Sequence, residues 1–89
     1  MTEIEKIYTY VSENKELLKR YKKCICLYCG RTFDFAEITE WVNDRNEKSA
    51  ICPFCSVDAV VPLEVNNKVD HFKVTREIQE QIKNTYLGG

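Results

Sequence analysis

An α+β fold is predicted by three observations. Apolar residues recur at three- and four-residue steps near both ends of the chain, two Cys-x-x-Cys pairs stand between them, and short β-branched runs flank the pairs. Such a chain reads as a small metal ribbon with an inserted short helix, flanked by N-terminal and C-terminal helices. The 89 residues suit one domain: an N-terminal helix over 1–23, a ribbon over 24–65 with a helix at 34–43, and a C-terminal helix over 75–86. A core of that size supplies only about 3–5 kcal/mol, so a metal clip is an expected part of its stability.

The first helix is carried by Ile4, Ile7, Tyr8, Val11 and Leu18, which form one apolar stripe. Ser12, Glu13 and Asn14 interrupt it, since Ser and Asn favour caps over helix interiors, and two shorter helices are the alternative reading. Lys19, Arg20, Lys22 and Lys23 place cations at its end, where the helix dipole favours them. Residues 24–33 read as a strand and a metal-binding turn. Asp34 and Glu37 then have capping-box spacing, which starts the inserted helix with Ile38, Trp41 and Val42 on one side. Asn43 to Glu47 ends it in a polar turn. Ala59 to Leu63 reads as a strand that Pro62 confines to an edge, and Asn66 to Lys68 as a turn. Thr75 caps the last helix, with Ile78, Ile82 and Tyr86 at four-residue spacing.

The chemistry-bearing residues are Cys26 and Cys29, followed after 22 residues by Cys52 and Cys55. Two residues between cysteines let both sulfurs of a tight turn point at one ion while backbone amides donate to them. Two such turns supply the four-sulfur tetrahedron that Zn²⁺ accepts, and one structural zinc is the expected cofactor. Gly30 suits the positive φ that such turns need, and Ser56 holds the equivalent place in the second pair. Iron–sulfur ligation is the lesser alternative, because the spacing lacks ferredoxin runs. Cys24 lies two residues before Cys26 and is read as a small buried hydrophobe, with a ligand or reactive-thiol role as the alternative.

These residues resemble a group of small bacterial and phage cytoplasmic zinc-ribbon proteins. The resemblance is carried by Cys26-x-Tyr28-Cys29, Phe33, Glu37-Ile38-x-Glu40-Trp41-x-x-Asp44, Ala50-x-Cys52-Pro53-x-Cys55 and Val57-Asp58-x-Val60. It covers about residues 26–63, with Ser56 standing where the pattern expects glycine. It implies a zinc ribbon with an inserted helix and implies no activity.

A four-thiolate site has no open position for water or substrate, which argues against hydrolysis. The only histidine, His71, has no nucleophile motif beside it, and three glycines leave no phosphate-binding loop. The chain is therefore expected not to be an enzyme. Met1 to Lys6 has none of the features of a secretion signal and no window suits a membrane span, so a reducing cytoplasm is expected.

The formal charge of −1 gives no general pull toward nucleic acid, although residues 1–31 balance to +3 and residues 32–66 to −5. The leading expectation is a protein-interaction module, with Tyr28 and Phe54 at matching positions in the two turns as an exposed hot spot. A phage or mobile-element regulator of a host protein belongs to this class. One alternative is a nucleic-acid-binding regulator that uses Lys15, Lys19, Arg20, Lys22, Lys23 and Arg31. Another is a thiol switch with Cys24 as its reactive group. No membrane partner is expected. The apolar stripes of the two terminal helices are open to packing on the ribbon or pairing between chains. The Gly88-Gly89 end reads as a frayed tail.

Overall fold

The computed structural model describes residues 2–43, 45 and 47–88. The parts of the expected polar turn at Asp44 and Asn46, and the Gly89 end, lie outside the described residues. The chain is mixed α and β, with three α-helices and small antiparallel sheets around a four-cysteine cluster.

Helix α1 (Glu3–Tyr8) starts at Thr2, whose Oγ1 accepts from the Glu5 amide at 3.3 Å. It runs into a 3-10 turn (Thr9–Val11) and stops, and α2 (Lys15–Tyr21) begins anew. The continuous helix over 1–23 is thus corrected to its two-helix alternative. The cause is Asn14. Its side chain is buried and turns inward, donating from Nδ2 to the Tyr10 carbonyl at 2.7 Å and the Val60 carbonyl at 2.8 Å. Its Oδ1 accepts from the Ala50 amide at 3.2 Å, and its own amide donates to the Lys48 carbonyl at 3.1 Å. Glu13, at φ +51°, makes the corner and donates its amide to Ser49 Oγ at 2.8 Å. One asparagine therefore joins the helical corner to two separate strands.

Strand β1 (Lys23–Cys26) lies between β2 (Thr32–Asp34) and β5 (Val60–Pro62), all antiparallel. Pro62 stands on the edge strand, as expected of a residue without an amide donor. Cys24, Ile25 and Cys26 are all buried, so β1 is covered on both faces.

The expected helix over 34–43 shrinks to one 3-10 turn (Phe35–Glu37). Its capping box does form, with the Asp34 amide donating to Glu37 Oε2 at 2.8 Å. Beyond it, Ile38 is already extended at φ −80°, ψ 119°. Trp41 and Val42 instead lie on β3 (Trp41–Asn43), paired with β4 (Lys48–Ala50) in the register Trp41↔Ala50 and Val42↔Ser49. Strand pairing, together with the bond from Ala50 to Asn14, overrides the local helical signal. A second hairpin, β6 (Glu64–Asn66) with β7 (His71–Lys73), spans the Asn67 turn and carries His71 exposed.

Helix α3 (Arg76–Tyr86) starts at Thr75, whose Oγ1 accepts from Ile78. The apolar stripes of α1 and α3 meet within the chain: Ile7 and Ile82 are fully buried, and the Tyr8 and Tyr86 rings stack at 4.4 Å. Tyr10 hydrogen-bonds Asp70, and Lys6 pairs with the same carboxylate at 2.8 Å, which ties the N-terminal helices to the second hairpin. These two partners hold the Asp70 carboxyl below its ordinary range, whereas burial and the adjacent carboxylate push Tyr10 up to about 12.

Asn14→Ala removes the partner of three backbone groups at once, two of them buried. It is expected to destabilise the fold by about 3 kcal/mol, read as a lower urea midpoint at constant slope.

Candidate metal centre

Both cysteine pairs fold into the same backbone knuckle. In the first, the Cys26 amide donates to the Arg31 carbonyl at 3.0 Å and the Gly30 amide to the Cys26 carbonyl at 2.9 Å. In the second, the Cys52 amide donates to Val57 and the Ser56 amide to Cys52, each at 3.0 Å. Offsets of five and four residues recur in both. The residue after each second cysteine is left-handed, Gly30 at φ +78° and Ser56 at φ +64°. The departure from glycine at Ser56 thus falls on a residue that holds a glycine conformation.

The knuckles face each other. Cys26 Sγ lies 3.5 Å from Cys55 Sγ, and Cys29 Sγ lies 3.7 Å from Cys52 Sγ. All four sulfurs fall within 4.8 Å of one another. Tetrahedral thiolates about 2.3 Å from a zinc ion stand roughly 3.8 Å apart, so this donor set fits such an ion. Cys26 and Cys52 are buried, while Cys29 and Cys55 reach toward solvent.

Backbone amides converge on the sulfurs. The Phe54 amide donates to Cys52 Sγ at 3.4 Å. Burial raises the Cys52 thiol, but the amides of Cys55 and Phe54 together with the Cys55 and Cys29 side chains outweigh it and the net shift is downward. Burial dominates at Cys26, where it pushes the thiol well up despite the Cys29 and Tyr28 amides, and Cys55 is also raised by burial. A bound dication favours deprotonation of all four.

The first knuckle is anchored from behind by Gln79, which sequence reasoning missed. It is buried on α3 and donates from Nε2 to the Leu27 carbonyl at 2.7 Å. Its amide oxygen lies 3.2 Å from where a Cβ on Gly30 would stand. Gly30 is therefore favoured twice, by its φ and by this close approach. The only sequence signal for Gln79 was its place one residue from Ile78 on the inner face of the helix.

Cys24 takes no part in the cluster. It is fully buried on β1, its Sγ lies 3.6 Å from the Lys22 carbonyl, and burial pushes its thiol up to about 12. The expected buried-hydrophobe role fits this position.

Tyr28 and Phe54 are 39% and 48% exposed at the knuckle tips. Each carries a cation on its ring: Lys83 Nζ lies 5.1 Å from Tyr28, and Arg31 Cζ lies 4.9 Å from Phe54, which also leans on Phe33 at 5.8 Å. Of the basic set, Arg31 alone joins the metal centre. Lys19 and Arg20 are exposed on α2, Lys22 and Lys23 on its exit, with Lys23 paired to Asp34 at 2.7 Å. Lys15 lies over the Trp41 ring at 5.2 Å.

No helix among the described residues is long and apolar enough to cross a membrane. Comparison with family models, with curated proteins and with solved structures finds no match. The site is thus defined by its own geometry, that of a four-cysteine centre able to hold a metal ion.

Ser56→Gly removes the left-handed penalty of a side chain and is expected to raise stability by about 0.5–1 kcal/mol, whereas Gly30→Ala lowers it by about 1–2 kcal/mol. Thermal midpoints of the two variants, moving in opposite directions, check this.

Proposed function

We propose that the chain is a non-enzymatic zinc-ribbon module that holds one structural Zn²⁺ through Cys26, Cys29, Cys52 and Cys55 and presents its surface to a protein partner. The convergence of four sulfurs within 4.8 Å carries the reading. All four positions of a tetrahedral ion are taken by protein sulfur, which leaves none for a substrate or an activated water. The ion's work is then to join the two knuckles and couple metal binding to folding. The resemblance to small bacterial and phage zinc ribbons supports the zinc-ribbon part of this reading, and the small size of the chain fits a regulator of a host protein in a cytoplasmic setting.

The partner surface in this reading is the pair of knuckle tips. Tyr28 and Phe54 are large aromatics left exposed in a small chain, and Arg31 and Lys83 lie on their rings beside the charge of about −2 that four thiolates and Zn²⁺ carry. The lysine-rich end of α2 favours the nucleic-acid reading less, because Lys23 is already paired with Asp34. The complete burial of Cys24 weighs against a thiol switch.

Metal analysis of the purified chain is expected to give one zinc per chain, retained in Cys24→Ala. Cys52→Ala is expected to lose the metal and the near-ultraviolet signal of a packed core. Zinc loss in Cys24→Ala would mean a different ligand set. Lowering the pH should release the metal, since protons compete for thiolates, and affinity should rise with pH until they are ionised.

A partner captured from host lysate by the zinc-loaded chain should be lost in the double variant Tyr28→Ser, Phe54→Ser, with zinc content unchanged. Retention of every captured protein by that folded variant removes the knuckle tips from the interface.

A further inference from the structure

Where α2 ends, Lys22 takes φ +67° and the chain turns into β1. Its carbonyl accepts from the Phe35 amide at 2.6 Å, which locks the 3-10 turn against the end of the helix. Between them lies a groove of about 530 Å³ lined by Lys19, Lys22, Lys23, Asp34, Phe35 and Ala36. Phe35 and Ala36, with the aliphatic stems of the lysines, make its walls largely apolar. The Phe35 ring is held at 5.8 Å from Trp41, and Lys15 caps Trp41 at 5.2 Å, so the positive rim continues past the groove.

We propose that this groove binds an acidic segment of a partner protein, with one apolar side chain seated over Phe35 and carboxylates at Lys19 and Lys22. The proposal rests on the reading of the chain as a binding module and uses none of the knuckle residues. Charge complementarity selects the occupant. Lys23 is engaged with Asp34 at 2.7 Å, while Lys19 and Lys22 make no ion pair among the described residues. Two ammonium groups thus face a mainly apolar trough.

A continuous phosphate chain fits this surface less well. Asp34 lines the groove and Glu37 is exposed on the same 3-10 turn, so a strand of evenly spaced phosphates meets carboxylates beside the lysines. A peptide can place its carboxylates at the lysines alone and offer an apolar group to Phe35. Lys22 itself holds a positive φ of 67° with ψ −44°, a conformation that side chains seldom adopt. Its amide and carbonyl bond Leu18 and Phe35, which fixes the backbone that carries its ammonium at the groove.

The test is fluorescence anisotropy of the zinc-loaded full chain with a labelled peptide of Asp and Glu around one central Trp. The same peptide with Ser for Trp and an oligothymidylate of similar length are the comparisons. The acidic Trp peptide is expected to bind best, less tightly as salt rises, and roughly tenfold more weakly to the double variant Lys19→Glu, Lys22→Glu. Lys22→Gly should weaken the peptide while raising the thermal midpoint, which separates binding from folding even if the charge reversal disturbs α2. Tighter binding of oligothymidylate, no binding of the peptide, or equal binding by Lys22→Gly overturns the proposal. A partner captured through Tyr28 and Phe54 with no peptide affinity at this groove overturns it too, and leaves the module reading standing.

Discussion

Four sulfurs held within 4.8 Å of one another are the constraint on which the rest of the chain depends. The first pair leaves the central strand β1 and is braced by β2 and β5. The second pair hangs between β4 and β5 on a segment of its own, with the 3.0 Å bonds of its knuckle as its internal frame. Bringing the two together joins segments more than 20 residues apart. That closure costs conformational entropy, which grows only slowly with loop length, so the intervening 3-10 turn and hairpin are tolerated between the knuckles.

A second junction answers the first. Asn14 reaches Tyr10, Val60 and Ala50, and so links the N-terminal corner, the edge strand before Pro62 and the hairpin leading to Cys52. A buried amide with all its groups bonded stabilises modestly, but leaving any of those backbone groups alone is expensive. Gln79 does the same for the first knuckle from α3. Apolar burial makes this small core compact, while two buried amides determine where the knuckles sit.

What was legible in the sequence follows from how local each signal is. The Cys-x-x-Cys spacings, the Thr75 cap and the edge position forced by Pro62 are written within a few residues, and the structure bears them out. The capping box at Asp34 and Glu37 forms as its spacing predicts, yet its helix lasts one turn. A cap states where a helix can start; how far it runs depends on whether distant strands compete for the same backbone, as β4 does for Trp41 to Asn43. Asn14 was visible only as a poor helix former. That its amide would be satisfied by residues 36 and 46 positions away could not be read from its neighbours.

Among the described residues, Glu13, Lys22 and Ser56 hold left-handed backbone without being glycine. Each such residue costs on the order of 1 kcal/mol, a sizeable share of the few kcal/mol a core of this size supplies. A zinc site of four thiolates, as proposed, contributes on the order of 10 kcal/mol in small domains of this kind. Under zinc occupancy the strain is small beside the metal's contribution, and side chains can stand where stability alone would choose glycine. Strain of this kind points to function only where the side chain has something to touch. Glu13 turns its amide to Ser49 and so serves the fold, and Ser56 completes a knuckle. Lys22 bonds Leu18 and Phe35 through its backbone and alone of the three also places an exposed cation beside an apolar groove, so under the zinc occupancy and groove binding proposed above its side chain would have a use besides stability.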